Sequence, residues 1–562
     1  VYFVKTFSKS LLMDNLKELV RKVYVNYLHY NNYKITKIDW VKLYGYYNII
    51  MLAYQILLNS RRNIRNTIKM IPYVKTKISS ERQKIIMNIH TKFDEQLENI
   101  DSQELPLIGF NSDKIVSLFD EMSCKGAIKY RDGRVSGATY SNNVDLDNTL
   151  AKLFPYFNKS NPLHTNLYPA VRKMEQECIA IMIKLFNGSD GSDGSDGSNG
   201  SDGSDGSDGS DGSDGTCCGT FTSGGTESIL LACKTYRDQA LAEKNIREPE
   251  IIVSSTVHCA FNKACKYFNL KMVMIPCTEN GYYDTYKLEK AINPNTILIV
   301  GSTPSYNLGI IDQCDKLNAI ALKHSVPLHL DACIGSFLVN FSEFNTFDFR
   351  LSGVTSISAD FHKYGQSPKG ASAIMYRNKD LMKYQYFIDE KWSGGIYASS
   401  AFAGSRCGNI VALTWATLMY HGSLGYEVNY KHIMDLKNYF IEKMLSINEL
   451  HIYGNPALSI IAVNSNELNI NTIAEELQKK SWEVNVIQNP RGFHFCITSY
   501  HSKEVLDNFF YDLTNIINDL KSDGKGTETY SRCIYGTMEK INDSDIMNDV
   551  ITDYLHIVNG AL

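Results

Sequence analysis

The sequence predicts an α/β fold, a mostly parallel sheet wound with helices, followed by a smaller α+β domain at the C-terminus. Three observations carry that expectation. Short apolar runs recur between helical stretches: Glu250 to Val253, Lys271 to Ile275, Thr296 to Val300, Pro327 to Leu330 and Ser372 to Tyr376. A glycine-rich turn, Ser223-Gly-Gly-Thr226, opens an apolar helical run from Ile229 to Tyr236. Polar residues follow three of the apolar runs: His258, Ser302-Thr303 and Asp331. Sheets of this kind gather ligands beyond the carboxyl ends of their strands.

With 562 residues the chain has room for roughly two to four domains. Hydrophobic content of 44% and charged content of 21% are ordinary for a globular protein. The formal charge of −4 becomes +4 once the eight aspartates between Asp190 and Asp214 are set aside, and neither value points to a nucleic-acid binder. The 13 cysteines are scattered, with no pair at metal-ligand spacing, and read as reduced cytosolic thiols.

Leu11 to Tyr30 has the spacing of an amphipathic helix. Val41 to Leu58 is apolar except for Lys42, Asn48 and Gln55, and carries four tyrosines. Its length is just enough to span a bilayer about 30 Å thick, or to lie on one as an interfacial helix. Basic residues flank it on both sides, so charge does not orient it. Ser79 to Ile100 reads as a charged helix, which Leu105-Pro-Leu-Ile-Gly109 ends. Gly133 to Tyr140 and Asn161 to His164 are polar loops, and Val171 to Phe186 is a helix with one apolar face. The chain thus divides into 1–78, 79–170, 171–409 and 410–562.

Gly188 to Gly215 is a Gly-Ser-Asp repeat without one apolar residue. It cannot bury surface to offset the entropy of ordering, and its like charges repel, which predicts a disordered loop. A calcium-binding solenoid needs an apolar position in each turn, and none is present.

Lys363 stands in Ser356-Ile-Ser-Ala-Asp-Phe-His362-Lys363-Tyr-Gly365, where the glycine and then Pro368 keep it at the end of an element. Burial disfavours an ammonium, so a desolvated lysine is expected to have a lowered pKa and, as the neutral amine, to form a Schiff base with an aldehyde cofactor. Asp331, between His329-Leu330 and Ala332-Cys333, is a carboxylate at a buried strand end that needs a cationic or hydrogen-bonding partner. A phosphate loop, a ring stacker in His258, Asp331 and the His362-Lys363 pair together supply the four contacts that pyridoxal 5′-phosphate requires.

From about Leu105 onward the chain resembles the sphingosine-1-phosphate lyases, which belong to the fold-type I pyridoxal phosphate enzymes. The resemblance rests on Gly133 to Tyr140, Asn161 to His164, Val171 to Glu175, Thr222 to Lys234, His329 to Cys333, the Lys363 stretch, Trp392 to Ser399 and Ala403 to Arg406. Thr165-Asn166, Phe361 and Ser400 depart from the family pattern, which bears on the shape of the substrate channel. The resemblance implies retro-aldol cleavage of a phosphorylated sphingoid base to a fatty aldehyde and phosphoethanolamine. It assigns Lys363, Asp331, His258 and Tyr306 to catalysis, and Gly225, Thr226, Ser228, Thr303 and His362 to the cofactor. Tyr140, His164 and Lys369 would face the substrate phosphate. It further implies a homodimer in which Gly395 and Ser399 reach the partner's cofactor phosphate. A single N-terminal helix would hold the protein in the endoplasmic reticulum membrane, with the catalytic body in the cytosol. A group II amino-acid decarboxylase would share Asp331, His258 and Lys363, but has no need of a second lysine at position 369. A catalytically dead relative acting as a membrane-bound interaction protein would have no need of either Asp331 or Lys363.

Overall fold

A computed structural model describes residues 76, 79–80, 82–84, 86–87, 105–123, 128–188, 216–342, 347–522 and 544–559. The expected helix at Leu11 to Tyr30, the apolar segment Val41 to Leu58 and the repeat from residue 189 to 215 lie outside them. Among the described residues, no helix is long and apolar enough to cross a membrane.

The strands of the large sheet are β1 (Cys218–Thr222), β2 (Glu250–Ser254), β3 (Lys271–Ile275), β4 (Thr296–Ser302), β5 (Leu328–Asp331), β6 (Val354–Asp360) and β7 (Ser372–Tyr376). Their order in the sheet is β1-β7-β6-β5-β4-β2-β3. The pairs from β3 across to β6 are parallel, and β7 alone runs against its neighbours β6 and β1. All residues of β2, β4, β5 and β7 are buried, as expected of a sheet covered on both faces.

Each expected strand is present. Two more, β1 and β6, are rich in Thr, Ser and Gly, and therefore carry no apolar run to announce them. Helices Gly225–Lys244, Ala260–Phe268 and Cys314–His324 return the chain to the sheet. They stop on residues in the left-handed region, Asn245, Asn269 and Ser325, where the backbone turns out of the helix.

A hairpin follows, β8 (Phe387–Asp389) and β9 (Tyr397–Ser399). The smaller domain has an antiparallel sheet of β10 (His451–Ile452), β11 (Ile460–Asn464), β12 (Asn485–Ile487) and β13 (Gly492–Cys496), in the order β10-β11-β13-β12. Helix Ile470–Lys479 packs on β13, and Lys503–Ser522 packs on that helix and reaches the sheet through Phe509 against Phe495. Phe440, Phe495 and Phe509 form its aromatic core, with the Phe440 and Phe495 rings 5.0 Å apart. This is the α+β layer that the sequence predicts.

Residues 96–544 form one compact unit. The described residues before 96 and those from Asp545 onward, most of the helix Ser544–Val558, form another, in which Arg82 is paired with Asp549 and Asp553. The two ends of the Gly-Ser-Asp repeat meet: a Cβ placed on Gly188 would lie 3.0 Å from Cys217 Sγ.

Candidate active site

Parallel pairing of β2, β4, β5 and β6 brings the residues beyond their carboxyl ends to one edge of the sheet. Asp331 is the last residue of β5 and lies in register with Ser302 of β4 and Ser358 of β6. Its Oδ1 accepts hydrogen bonds from the Cys333 N–H at 3.1 Å and the Ser358 hydroxyl at 3.3 Å. Thr303 donates its N–H and hydroxyl to the Asp331 carbonyl, so its side chain is already committed.

His258 follows β2. Its Nδ1 accepts from the Ala260 N–H, which fixes the ring at the head of the next helix. Tyr306 meets His258 edge-on at 6.2 Å and meets His494 of the small domain edge-on at 4.8 Å.

Lys363 lies in the turn after β6, with Nζ 2.8 Å from Asp360 Oδ2. The expected lowering of the Lys363 pKa is corrected here. Burial, the largest single influence, does pull the ammonium down, but the charge and hydrogen bond of Asp360, with Cys333 and Tyr140 adding to them, together outweigh it, and the net shift is upward. Burial alone would raise Asp360; Lys363 and His362 hold it below the usual carboxylate range instead. The sequence reading missed Asp360 as a partner. The signal was an acid three residues before the lysine, but the pairing depends on a turn that spacing alone does not reveal. His362 lies beside this pair; burial lowers its pKa, and its Nδ1 accepts from the Ala371 N–H.

The glycine-rich turn closes on the same cluster. A Cβ on Gly225 would lie 2.7 Å from Cys333 Sγ and 3.0 Å from Asp360 Oδ1, so only glycine fits. One on Gly224 would lie 3.4 Å from His362 Cε1. Thr226 is exposed in the first turn of the helix. Ser228 turns inward: its hydroxyl is bonded to Thr222 and Ser372 at 2.6 and 3.0 Å, and its N–H is given to Gly224. A hydroxyl placed in this way is structural and is not offered to a phosphate, unlike the expectation for this residue. Glu227, which the sequence reading did not single out, ties the turn down through Ser223 N–H and takes Phe402 N–H on its other oxygen.

Lys369 and Tyr140 are brought together, with Nζ 4.7 Å from the ring centre. Lys369 also donates to the His362 carbonyl at 3.2 Å. Burial, and then the charge of Lys363, push its ammonium down to about 8. His164 is exposed on its loop, and no hydrogen bond or ring contact joins it to Tyr140 or Lys369. Gly395 and Ser399 lie on the β8–β9 hairpin. Gly395 has open space around it, and the Ser399 hydroxyl donates to the Ala401 carbonyl. Neither is bonded to the Lys363 cluster of its own chain.

These residues fit pyridoxal phosphate. Lys363 offers an amine, the bare N–H groups of the Gly225 turn offer a seat for an anion, and Asp331 Oδ2 takes no hydrogen bond from the described residues. Residues 137–464 match the pyridoxal-dependent decarboxylase conserved domain. The chain is 37% identical to rat sphingosine-1-phosphate lyase 1 over 458 residues, covering 80% of this chain and 76% of that one. It is 35% identical to the Saccharomyces cerevisiae sphingosine-1-phosphate lyase over 532 residues, covering 92% and 85%. Among solved structures, sphingosine-1-phosphate lyase from Burkholderia pseudomallei superposes with a TM-score of 0.70 at 29% identity, covering 79% of this chain and 98% of that one. Glutamate decarboxylase from Lactobacillus brevis, at 19% identity, shares the fold with a TM-score of 0.62, covering 75% and 96%. The chain belongs to the sphingosine-1-phosphate lyases, pyridoxal phosphate enzymes of fold type I.

Proposed function

We propose that this protein cleaves a phosphorylated sphingoid base, such as sphingosine 1-phosphate, between C2 and C3 to give a long-chain aldehyde and phosphoethanolamine. The observation that carries this reading is Lys369, a cation seated on Tyr140 beside Lys363, with no carboxylate at ion-pair distance among the described residues. A phosphate monoester bears nearly two negative charges and matches such a site; an amino-acid decarboxylase does not need it.

Pyridoxal phosphate bound here supplies an aldehyde for the substrate amine and a pyridinium ring that draws electrons from the breaking bond. Asp331 Oδ2 is assigned to the ring nitrogen, His258 to the ring face, and the Gly225–Thr226 turn with His362 to the cofactor phosphate. Lys363 Nζ holds the cofactor until substrate arrives and then carries a proton to the carbon that C3 leaves. Tyr306, packed against His258, is placed near the reacting carbons. Lys369, Tyr140 and His164 are assigned to the substrate phosphate.

The reading extends to a homodimer. Phe387, Ile388, Trp392 and Ile396 of the β8–β9 hairpin are largely exposed in the single chain, and such apolar surface suits burial against a partner. Gly395 and Ser399 would there serve the partner's phosphate site. Val41 to Leu58 is assigned as a single membrane span in the endoplasmic reticulum with the catalytic body in the cytosol. Extraction by carbonate or high salt would reverse that assignment.

The reaction is tested by a side-by-side assay with sphingosine 1-phosphate, sphingosine, glutamate and aromatic amino acids, following both aldehyde and carbon dioxide. Aldehyde from the phosphorylated base supports the reading. Carbon dioxide from an amino acid, without that aldehyde, overturns it and leaves the fold standing.

A further inference from the structure

A line of buried side chains runs from the helix Gly225–Lys244 to Asp331. Tyr236 Oη lies 2.7 Å from Ser356 Oγ, Ser356 Oγ 2.8 Å from His329 Nδ1, His329 Nε2 3.2 Å from Ser358 Oγ, and Ser358 Oγ 3.3 Å from Asp331 Oδ1. Every member is buried. The strands bring them together: His329 and Asp331 share one face of β5, and in the ladder with β6 they stand opposite Ser356 and Ser358.

The direction of the chain follows from its end. A carboxylate can only accept, so the proton of Ser358 goes to Asp331. Ser358 Oγ must then accept from His329 Nε2–H. In a neutral imidazole the other nitrogen is an acceptor, so Ser356 donates to Nδ1 and in turn accepts from the Tyr236 hydroxyl. Burial pushes His329 down to about 4, so the ring is neutral at working pH and the tautomer is fixed. Thr355 Oγ1 also approaches the Tyr236 oxygen, at 2.6 Å, at the far end of the line.

We propose that His329 is a positioning residue for the cofactor: it relays hydrogen bonds in one direction, from Tyr236 through Ser356 and Ser358, onto Oδ1 of Asp331, which holds the carboxylate with Oδ2 turned to the ring nitrogen. Both protein donors to this side chain, Ser358 and the Cys333 N–H, end on Oδ1. Members of such a line polarise one another, so the carboxylate receives a stronger bond than an isolated serine would give. The inference rests on the assignment of Asp331 to the ring nitrogen.

The test uses the full enzyme and reads pyridoxal phosphate affinity by reconstitution of the stripped protein, together with the visible band of the bound cofactor, kcat, KM and the melting temperature of the stripped form. His329→Phe removes both ring nitrogens. It is expected to weaken cofactor affinity about tenfold or more, to move the visible band, and to lower kcat with KM for the sphingoid base little changed. His329→Gln, whose amide N–H can still reach Ser358, recovers most of the affinity and the band. A His329→Phe enzyme with the affinity, band and kcat of the wild type overturns the relay, and so does a Gln variant as impaired as Phe. Asp331→Ala keeps the two readings apart. Wild-type behaviour in that variant removes Asp331 from the ring nitrogen, whereas loss there with none in His329→Phe removes only the relay. If His329→Phe does not fold, Ser358→Ala and Tyr236→Phe decide. Weakened affinity in both, larger in Ser358→Ala, sustains the relay, and unchanged affinity in either rejects it.

Discussion

Asp360 Oδ2 lies 2.8 Å from Lys363 Nζ, three residues further along the chain, and the carboxylate is 1% exposed. The lysine proposed to hold the cofactor is therefore also the counter-ion of a buried acid. Lys363→Ala should abolish turnover and the visible band of the cofactor. It should also destabilise the cofactor-free protein by roughly 3–5 kcal/mol, because it leaves the buried carboxylate without its lysine and with only His362, 3.6 Å away, beside it. Urea unfolding checks this, and Asp360→Ala added to Lys363→Ala should restore most of the stability and none of the activity. A Lys363→Ala protein that keeps the band would transfer the cofactor to Lys369.

Burial holds His329, His494 and His501 down to about 4 from 6.5. Between those values the unfolded chain binds protons that the folded one does not, so acid favours unfolding. The stabilisation is complete above pH 6.5 and is lost as the pH falls towards 4, at roughly 1.4 kcal/mol per pH unit for each histidine. Urea midpoints at pH 7.5, 6 and 5 should fall in that order, and a flat profile would mean that the buried rings take up protons in place.

Lys369→Met should weaken use of sphingosine 1-phosphate by roughly ten- to a hundredfold while the cofactor band remains, since each charge-assisted hydrogen bond to the phosphate is worth about 1.5–3 kcal/mol. Because this lysine is depressed to about 8, KM for the phosphorylated substrate should rise in the wild type as the pH climbs past that value. Steady-state kinetics from pH 6.5 to 9.5 measure both effects. A pH-independent KM would place the headgroup elsewhere.

Removal of residues 189 to 214 should leave activity and melting temperature nearly unchanged. Gly188 already touches Cys217, so the shortened loop has almost no distance to span, and closure costs change only with the logarithm of loop length. A loss of several degrees in the deletion variant would show that the acidic repeat contributes to the folded state.

Much of this site can be read from local pattern. Asp331 and His258 sit where apolar runs stop, and Lys363 sits where Gly365 and Pro368 forbid a long helix. What escaped the sequence reading depends on pairing between distant parts of the chain. Ser228 looked like a phosphate ligand until its hydroxyl met Thr222 and Ser372, and the Ser372 contact exists only because β1 pairs with β7. β6 was hidden because Thr355, Ser356 and Ser358 interrupt its apolar residues, and those two serines are what His329 binds. The direction of the Lys363 shift was hidden for a similar reason, since burial was foreseeable and its carboxylate neighbour across the turn was not.

His258, Thr303 and Lys363 follow β2, β4 and β6, and Asp331 ends β5, so no one of these four strands supplies more than one of them. On the proposed assignment, therefore, no early fragment of the nascent chain holds the whole cofactor site. The nascent chain must first emerge past β6 and β7, and β7 must then pair with β1, made much earlier, before the Gly225 turn meets the turn that carries Lys363. Loading of the cofactor is on this account a late event that reports completion of the sheet. A ligand that binds only the finished state draws the last folding step forward by mass action. Cells short of the vitamin precursor should accumulate this protein in a form more readily degraded, without any change in the rate at which it is made.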